Sequence, residues 1–240
     1  MRYDGRAREA LRPIEIELTP IKYAEGSAMI AMGNTRVLCA VSVESRVPRW
    51  LQGQGKGWLT AEYALLPRAT HTRTARSHIR GGRAQEIRRL IGRSLRQAVR
   101  LEHLDGYTLT VDCDVIQADG GTRTASINGG YVAVALAVRR LVKQGLVRSA
   151  ALQPPIGALS VGLVDGEPLV DLAYTEDAQA EMDLNVVMNA AGEFIEVQGT
   201  AEAQPVSRGQ LDRLLDMATA GIESIVASQR EVLRCAGIEV

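Results

Sequence analysis

The sequence predicts an α+β fold in which mixed sheets pack against helices. Short runs of alternating apolar and polar residues predict strands, and longer segments carry apolar residues at helical spacing. Strands and helices follow one another in blocks rather than in strict strand–helix–strand repeats, which favours α+β over a parallel α/β architecture. No repeat or long linker divides the 240 residues, so we expect one domain over 1–240.

The first third of the chain is predicted to be rich in strands. A basic arm that begins with Arg2-Tyr3-Asp4-Gly5-Arg6 leads into a first strand near Ile14. Gly33-Asn34 lies between two alternating runs and is a two-residue hairpin signal. The predicted strands after the arm are 27–32, 35–42 and 58–65, and an arginine-rich loop covers 68–82.

The rest of the chain alternates between helical and strand-like patterns. The most distinctive segment is 126–144, whose Ala and Val residues make it apolar on almost every side, so we expect a helix at the centre of the fold. Only 4 % of residues are aromatic, so aliphatic side chains must form the core. The predicted helices are 84–103, 126–144 and 207–235, and the predicted strands are 107–116, 156–164, 169–174, 184–188 and 194–197.

The net charge of zero conceals two oppositely charged halves. Residues 1–100 hold 19 Lys and Arg against 8 Asp and Glu, and residues 101–240 hold 9 against 20. Ten arginines and one acid, Glu86, lie between Arg68 and Arg100. Arginine suits bidentate phosphate contact, so this stretch indicates a surface for a polyanion. Neutralisation of one half by the other within the fold is the alternative.

A glycine-rich turn at 118–123 joins a predicted strand to the apolar helix. Gly120 and Gly121 allow close backbone approach to a ligand, and backbone N–H groups at a helix start attract anions. Thr122 adds a hydroxyl donor and Arg123 adds positive charge. An ordinary strand–helix turn is the alternative. Arg83 follows two glycines at another predicted helix start, so a phosphate could be held from two sides.

The acidic half contains a candidate carboxylate pair. Asp177 and Asp183 lie at either end of a tight connection between two predicted strands. Carboxylates hold Mg²⁺ that retains water, and they also act as general acids. A solvated acidic loop is the alternative reading. Together with a basic groove and an anion turn, however, the pair forms the minimum set for metal-assisted attack on a phosphodiester.

Other chemistries have little support in the sequence. Cys39, Cys113 and Cys235 lie far apart without a CxxC pair, which argues against a disulfide framework or a zinc site. His71 and His78 lie in the arginine-rich loop, where a surface role in contact with the polyanion is favoured over catalysis. No apolar run reaches the length of a membrane span, so we expect no membrane partner and a cytoplasmic location. Because aromatics are scarce, we expect the binding of a polyanion such as a nucleic acid to be mainly electrostatic and sensitive to salt.

These motifs, in this order and over nearly the whole length, resemble the RNase PH family of phosphorolytic 3′ exoribonucleases. The segments that carry the resemblance begin with the basic arm and end in the acidic half. They are Arg2–Arg6, Leu11–Ile14, Gly33–Thr35, Gly55–Tyr63, Leu66–Thr70, Glu86–Arg93, Asp112–Ser126 and Glu196–Thr200. Residues 77–82 depart from the family pattern in being a few residues shorter.

The resemblance implies a fold of the ribosomal protein S5 domain 2 type and a homo-hexameric ring built as a trimer of dimers. It implies an enzyme that trims the 3′ ends of tRNA precursors and other RNAs. The enzyme would use inorganic phosphate as the attacking group and release nucleoside 5′-diphosphates. A non-catalytic RNA-binding ring subunit of an exosome-like assembly is the alternative. The implied site residues are Arg83, Gly121, Thr122 and Arg123 for phosphate, Asp177 and Asp183 for catalysis and Mg²⁺, and Arg68, Arg73 and Arg76 for RNA.

Overall fold

The computed structural model describes residues 2–77, 81–202 and 204–240, which form two β-sheets packed against helices. The first sheet has five strands in the order β1-β2-β3-β5-β4, and the second has four in the order β7-β6-β8-β9. The predicted α+β class is therefore confirmed. The strands are β1 (Ile14–Leu18), β2 (Gly26–Met32), β3 (Thr35–Glu44), β4 (Trp58–Leu65), β5 (Thr108–Gln117), β6 (Ile156–Val164), β7 (Glu167–Val170), β8 (Met182–Asn189) and β9 (Phe194–Ala201).

The helices are α1 (Gly82–Arg96), α2 (Thr122–Lys143), the single turn α3 (Tyr174–Asp177) and α4 (Arg208–Cys235). Helix α2 packs against β2 and β3 of the first sheet and against β6 of the second. Fifteen of its residues are buried, which confirms the expectation of a central helix. No helix in the described ranges is long and apolar enough to cross a membrane.

The predicted hairpin is present: β2 and β3 pair antiparallel around Gly33-Asn34, with Met32 opposite Thr35. Strands β4 and β5 pair in parallel, whereas the second sheet is antiparallel throughout. In the second sheet Ser160 lies opposite Asn185, so these two residues share one face of the sheet. Asp183 of β8 and Thr200 of β9 lie on the same face. A stripe of polar residues therefore crosses the adjacent strands β6, β8 and β9.

Four predicted boundaries were wrong by four or more residues. Strand β9 runs to Ala201 instead of residue 197. Helix α1 ends at Arg96 instead of residue 103, because the backbone of Ala98 and Arg100 is hydrogen-bonded to the segment 151–153. Helix α2 begins at Thr122 instead of residue 126, directly after the glycines. The strand predicted over 169–174 ends at Val170, and the chain then turns into α3.

Candidate active site

One cavity of about 690 Å³ lies where the starts of α1 and α2 meet the polar face of the second sheet. Its walls include residues from both sheets and from the segment 70–74. Six of the predicted site residues, which lie far apart in the sequence, line this one cavity. They are Arg83, Gly121, Thr122, Arg123, Asp177 and Asp183.

The turn before α2 has the backbone geometry of an anion site. Gly120 and Gly121 have φ values of 75° and 65°, the left-handed region that favours glycine. A Cβ at Gly120 would also collide with the carbonyl oxygen of Leu172. Gly121 is the N-cap of α2 and offers no side-chain cap, so the first N–H groups of the helix are left to an incoming ligand. The early start of α2 therefore brings its N-terminus to the cavity.

Thr122 is held by a residue that the sequence did not indicate for the site. The Tyr63 hydroxyl lies 2.8 Å from Thr122 Oγ1, and the two hydroxyls are hydrogen-bonded. Tyr63 is buried on β4, and this burial raises its pKa although Thr122, Arg83 and Arg123 act in the opposite direction. When Tyr63 donates to Thr122, the Thr122 hydroxyl is free to donate to an anion in the cavity.

The two arginines of the site differ in how they are held. Arg123 is partly buried and bonds weakly to protein groups, at 3.4 Å from Glu86 Oε2 and 3.4 Å from Gln198 Oε1. Arg83 is exposed near the start of α1 and also lines the cavity. Their positive charge acts on both cavity carboxyls, because each arginine lowers the pKa of Asp177 and of Asp183. The cavity therefore combines cationic and acidic walls.

The two carboxyl groups come from different elements. Asp177 ends α3, and Asp183 lies on β8. Burial raises the pKa of Asp177, and burial together with the charge of Asp177 raises the pKa of Asp183 to about 6. A carboxyl with such a pKa exchanges protons near neutral pH, as a general acid or base must.

The carboxyl pair fits a hydrated Mg²⁺ better than a site made by protein ligands alone. The described residues contain no group of three or more His, Cys, Asp and Glu placed to hold a metal. Mg²⁺ is usually held by one or two carboxylates together with water and substrate phosphates. Asp177 and Asp183 supply two such groups, and their mutual repulsion would be relieved by a cation.

Ser160 is a further cavity residue that sequence reasoning missed. Its side chain is 3 % exposed, and its Oγ has no hydrogen-bond partner in the described structure. Ser160 lines the cavity beside Gly121. On β6 it shares a face with Gly162, and it pairs with Asn185 of the neighbouring strand β8. The strand pattern at 156–164 indicated only a core strand, so no local signal marked this hydroxyl.

Buried arginines of the N-terminal arm hold the site loops in place. Arg12 binds both carboxylate oxygens of Asp171 and donates to the carbonyl oxygen of Asp119, next to the glycine turn. Arg2 binds both carboxylate oxygens of Glu176, the neighbour of Asp177. These charge-assisted bonds fix the turn and α3 relative to each other.

The arginines predicted to contact RNA lie outside the cavity. Arg68, Arg73 and Arg76 are exposed on the segment 66–77 beside it, and Arg68 donates to the carbonyl oxygen of His71. Residues 78–80, which include His78 and half of the short segment 77–82, lie outside the described residues.

Several arginines of α1 bind protein groups, so the charged surface is smaller than the sequence suggested. Arg93 pairs with Glu196 at 2.6 Å and Arg88 pairs with Glu62 at 3.1 Å. Arg96 lies over the Trp58 ring, 4.6 Å from its centroid. The alternative to a polyanion surface was that the basic half of the chain is neutralised by the acidic half. Arg93 fits that alternative, because its partner Glu196 lies in the acidic half.

The cavity thus combines an uncapped helix start, two arginines and two carboxyls within a mixed α+β fold. Family comparison identifies the class of protein. The model of the 3′ exoribonuclease family, domain 1 (RNase PH), matches residues 10–139, and the model of domain 2 of the same family matches residues 154–221. The chain belongs to the RNase PH family of 3′ exoribonucleases.

Solved structures share this fold at low sequence identity. Rrp46 from rice (Oryza sativa) has a TM-score of 0.79 at 22 % identity, covering 97 % of this chain and 100 % of that chain. A chain of an archaeal exosome core gives 0.77 at 21 %, covering 95 % and 90 %. A chain of the Archaeoglobus fulgidus exosome with RNA bound to the active site gives 0.78 at 22 %, covering 95 % and 92 %. The predicted S5 domain 2-like fold is confirmed.

Proposed function

We propose that this protein is a phosphorolytic 3′-to-5′ exoribonuclease that trims the 3′ ends of tRNA precursors in the cytoplasm. The observation that carries the proposal is the convergence of an anion turn, two arginines and two carboxyls on one cavity. Family membership supports an exoribonuclease, and the anion site supports phosphate rather than water as the attacking group.

The cavity residues fall into two groups, one for the attacking phosphate and one for the leaving group. Arg83, Arg123, the Thr122 hydroxyl and the N–H groups at the start of α2 hold inorganic phosphate. A phosphate oxygen attacks the last phosphodiester of the RNA, forming a P–O–P bond as the bond to the 3′-oxygen of the preceding nucleotide breaks. The 3′-oxygen takes up a proton, and the products are a nucleoside 5′-diphosphate and an RNA one nucleotide shorter. One phosphate linkage replaces another, so the reaction is reversible.

Asp177 and Asp183 serve the leaving-group side of this reaction. They would hold Mg²⁺, which when bound would supply positive charge against the RNA phosphate. A protonated Asp183 would alternatively supply the proton that the leaving 3′-oxygen takes up, because its pKa is raised to about 6.

The homo-hexamer is part of this proposal. The similar solved structures include an exosome core, which supports assembly into a ring. Analytical ultracentrifugation should show a hexamer at micromolar concentration, and a monomer there would contradict it. The rival proposal is a non-catalytic RNA-binding subunit of an exosome-like ring. The presence of both carboxyls and of the anion turn in one cavity favours the enzyme.

The decisive experiment supplies tRNA precursor, Mg²⁺ and inorganic phosphate to the purified protein. We expect nucleoside diphosphates, whose release depends on phosphate. Monophosphates released without phosphate would show hydrolysis and refute phosphorolysis, and no release at all would favour the non-catalytic subunit.

Arg123→Ala should abolish phosphate-dependent turnover and leave RNA binding largely intact. The matched control is Arg234→Ala, which removes an exposed arginine that pairs with Glu231 within α4. Unchanged turnover in Arg123→Ala would remove Arg123 from the phosphate site.

A further inference from the structure

The cavity is larger than an attacking phosphate requires. At about 690 Å³ it is within the size range of sites that enclose a small organic ligand. The phosphate-binding groups proposed above occupy only the wall formed by the starts of α1 and α2. The following inference rests on that proposed function and concerns the wall beyond the carboxyls, which would receive the last nucleotide of the RNA.

This second wall carries an exposed aromatic pair. Tyr174 lines the cavity and is 51 % exposed, and His71 lies beside it with ring centroids 6.0 Å apart and planes tilted by 48°. Both rings come from segments that border the cavity rather than from the core. A large ring left open to solvent at a cavity mouth adds little to folding, and it offers a π-face to a ligand.

Tyr174 lies on the same short helix as Asp177, one of the two cavity carboxyls. Tyr174 is the first residue of α3, three positions before Asp177. Its backbone N–H is 3.4 Å from Asp119 Oδ1, at the turn that leads into α2. The same α3 turn is fixed through Glu176, which Arg2 binds in the interior. The backbone that carries the ring therefore has a set position relative to Asp177, as a stacking platform requires.

We propose that Tyr174, braced by His71, stacks on the base of the 3′-terminal nucleotide and so places the last phosphodiester between the carboxyls and the bound phosphate. Thr70, Thr72 and Thr74 also line the cavity, and the Thr70 hydroxyl is hydrogen-bonded to the Thr72 carbonyl oxygen and to the Thr74 hydroxyl. Every base has a π-face, so this platform accepts all four bases. That tolerance suits an enzyme that removes whichever nucleotide is last.

The test compares Tyr174→Ala with Tyr174→Phe, which keeps the ring and removes the hydroxyl. Stacking of one base on an aromatic side chain corresponds to about a 5- to 150-fold change in affinity. We expect the alanine variant to raise the KM for RNA by about that factor and to leave the KM for phosphate unchanged. The phenylalanine variant should match the wild type. Tyr23→Ala is the matched control, because Tyr23 is 85 % exposed and does not line the cavity.

A fluorescent base reports the contact itself, without turnover. RNA with 2-aminopurine at its 3′-terminal position should be quenched on binding to the wild type and to Tyr174→Phe, and much less on binding to Tyr174→Ala. The same label several nucleotides upstream should respond equally in all three proteins. Equal quenching and equal KM in the alanine variant, or an equal defect in both variants, would overturn the inference.

The two proposals fail in different ways. If the wild type and Tyr174→Phe quench the terminal base more than Tyr174→Ala does but the wild type releases no diphosphate, the stacking contact stands and phosphorolysis is refuted. If diphosphate is released normally by Tyr174→Ala at low RNA concentration, phosphorolysis stands and the stacking contact is refuted.

Discussion

Replacing Asp183 by Asn should make the folded protein more stable while removing its activity. The burial of Asp183 and its closeness to Asp177 raise its pKa from the ordinary 3.8 to about 6. A difference of one unit in pKa corresponds to about 1.4 kcal/mol. The ionised Asp183 side chain therefore destabilises the folded state by up to about 3 kcal/mol. Local relaxation and water entry reduce this figure, so we expect a gain of about 1–3 kcal/mol in Asp183→Asn at pH 8.

The sign of the pH dependence follows from proton linkage. The folded protein binds the Asp183 proton more tightly than the unfolded chain does, so this group makes stability fall as pH rises from about 4 to about 6. Above about pH 6 its cost is constant, and below about pH 4 it vanishes. The stability difference between variant and wild type should therefore be small near pH 4 and full at pH 8.

The assay is urea unfolding followed by far-ultraviolet circular dichroism at pH 4, 6 and 8, with a chelator present. Both proteins are compared at the same protomer concentration, because an oligomer's stability depends on it. Glu223→Gln, at an exposed position on α4, controls for the loss of one negative charge. A stability difference that does not vary with pH, or a variant less stable than the wild type at pH 8, would refute the reasoning.

The other predictions concern one site contact and one core contact. Tyr63→Phe removes the hydroxyl that is bonded to Thr122, so initial rates should show a 2- to 12-fold higher KM for phosphate, about the value of one hydrogen bond, and unchanged RNA affinity. An unchanged KM would mean that Tyr63 does not position Thr122. Asn128→Ala leaves the N–H and C=O of Ala158 unpaired in the core between α2 and β6, so urea unfolding should show a loss of about 2–5 kcal/mol. A loss below about 1 kcal/mol would contradict this account.

Local patterns in the sequence were sufficient for much of the fold. Strand β4 has the predicted bounds, and the hairpin at Gly33-Asn34 has the predicted pairing, because both depend on alternation and turn chemistry within a few residues. The central position of α2 also followed from its own composition. The sequence singled out Arg83, Gly121 and Asp183, which line one cavity, because glycine turns and paired carboxyls are visible as short motifs.

The errors arose where distant segments decide the local structure. Asp171 adopts a φ of 56° and accepts hydrogen bonds from Arg12, which ends the strand predicted over 169–174. As a result Tyr174, which the sequence placed in a strand, stands at the start of α3 on the cavity wall. The expectation of mainly electrostatic RNA binding did not consider this ring, because nothing in its neighbourhood along the chain marks it as part of the cavity. Ser160 was missed for the same reason.

The buried arginines of the N-terminal arm also bear on how the protein is completed during synthesis. Arg12 is made 159 residues before Asp171, and Arg2 is made 174 residues before Glu176. Until those acids emerge from the ribosome, Arg2 and Arg12 lack their carboxylate partners, and the arm is not yet tied to the segment 171–176. Closing such long loops is slow compared with forming the hairpin. The cavity is therefore completed only after most of the chain has been translated, so no ligand can bind there until both sheets are in place.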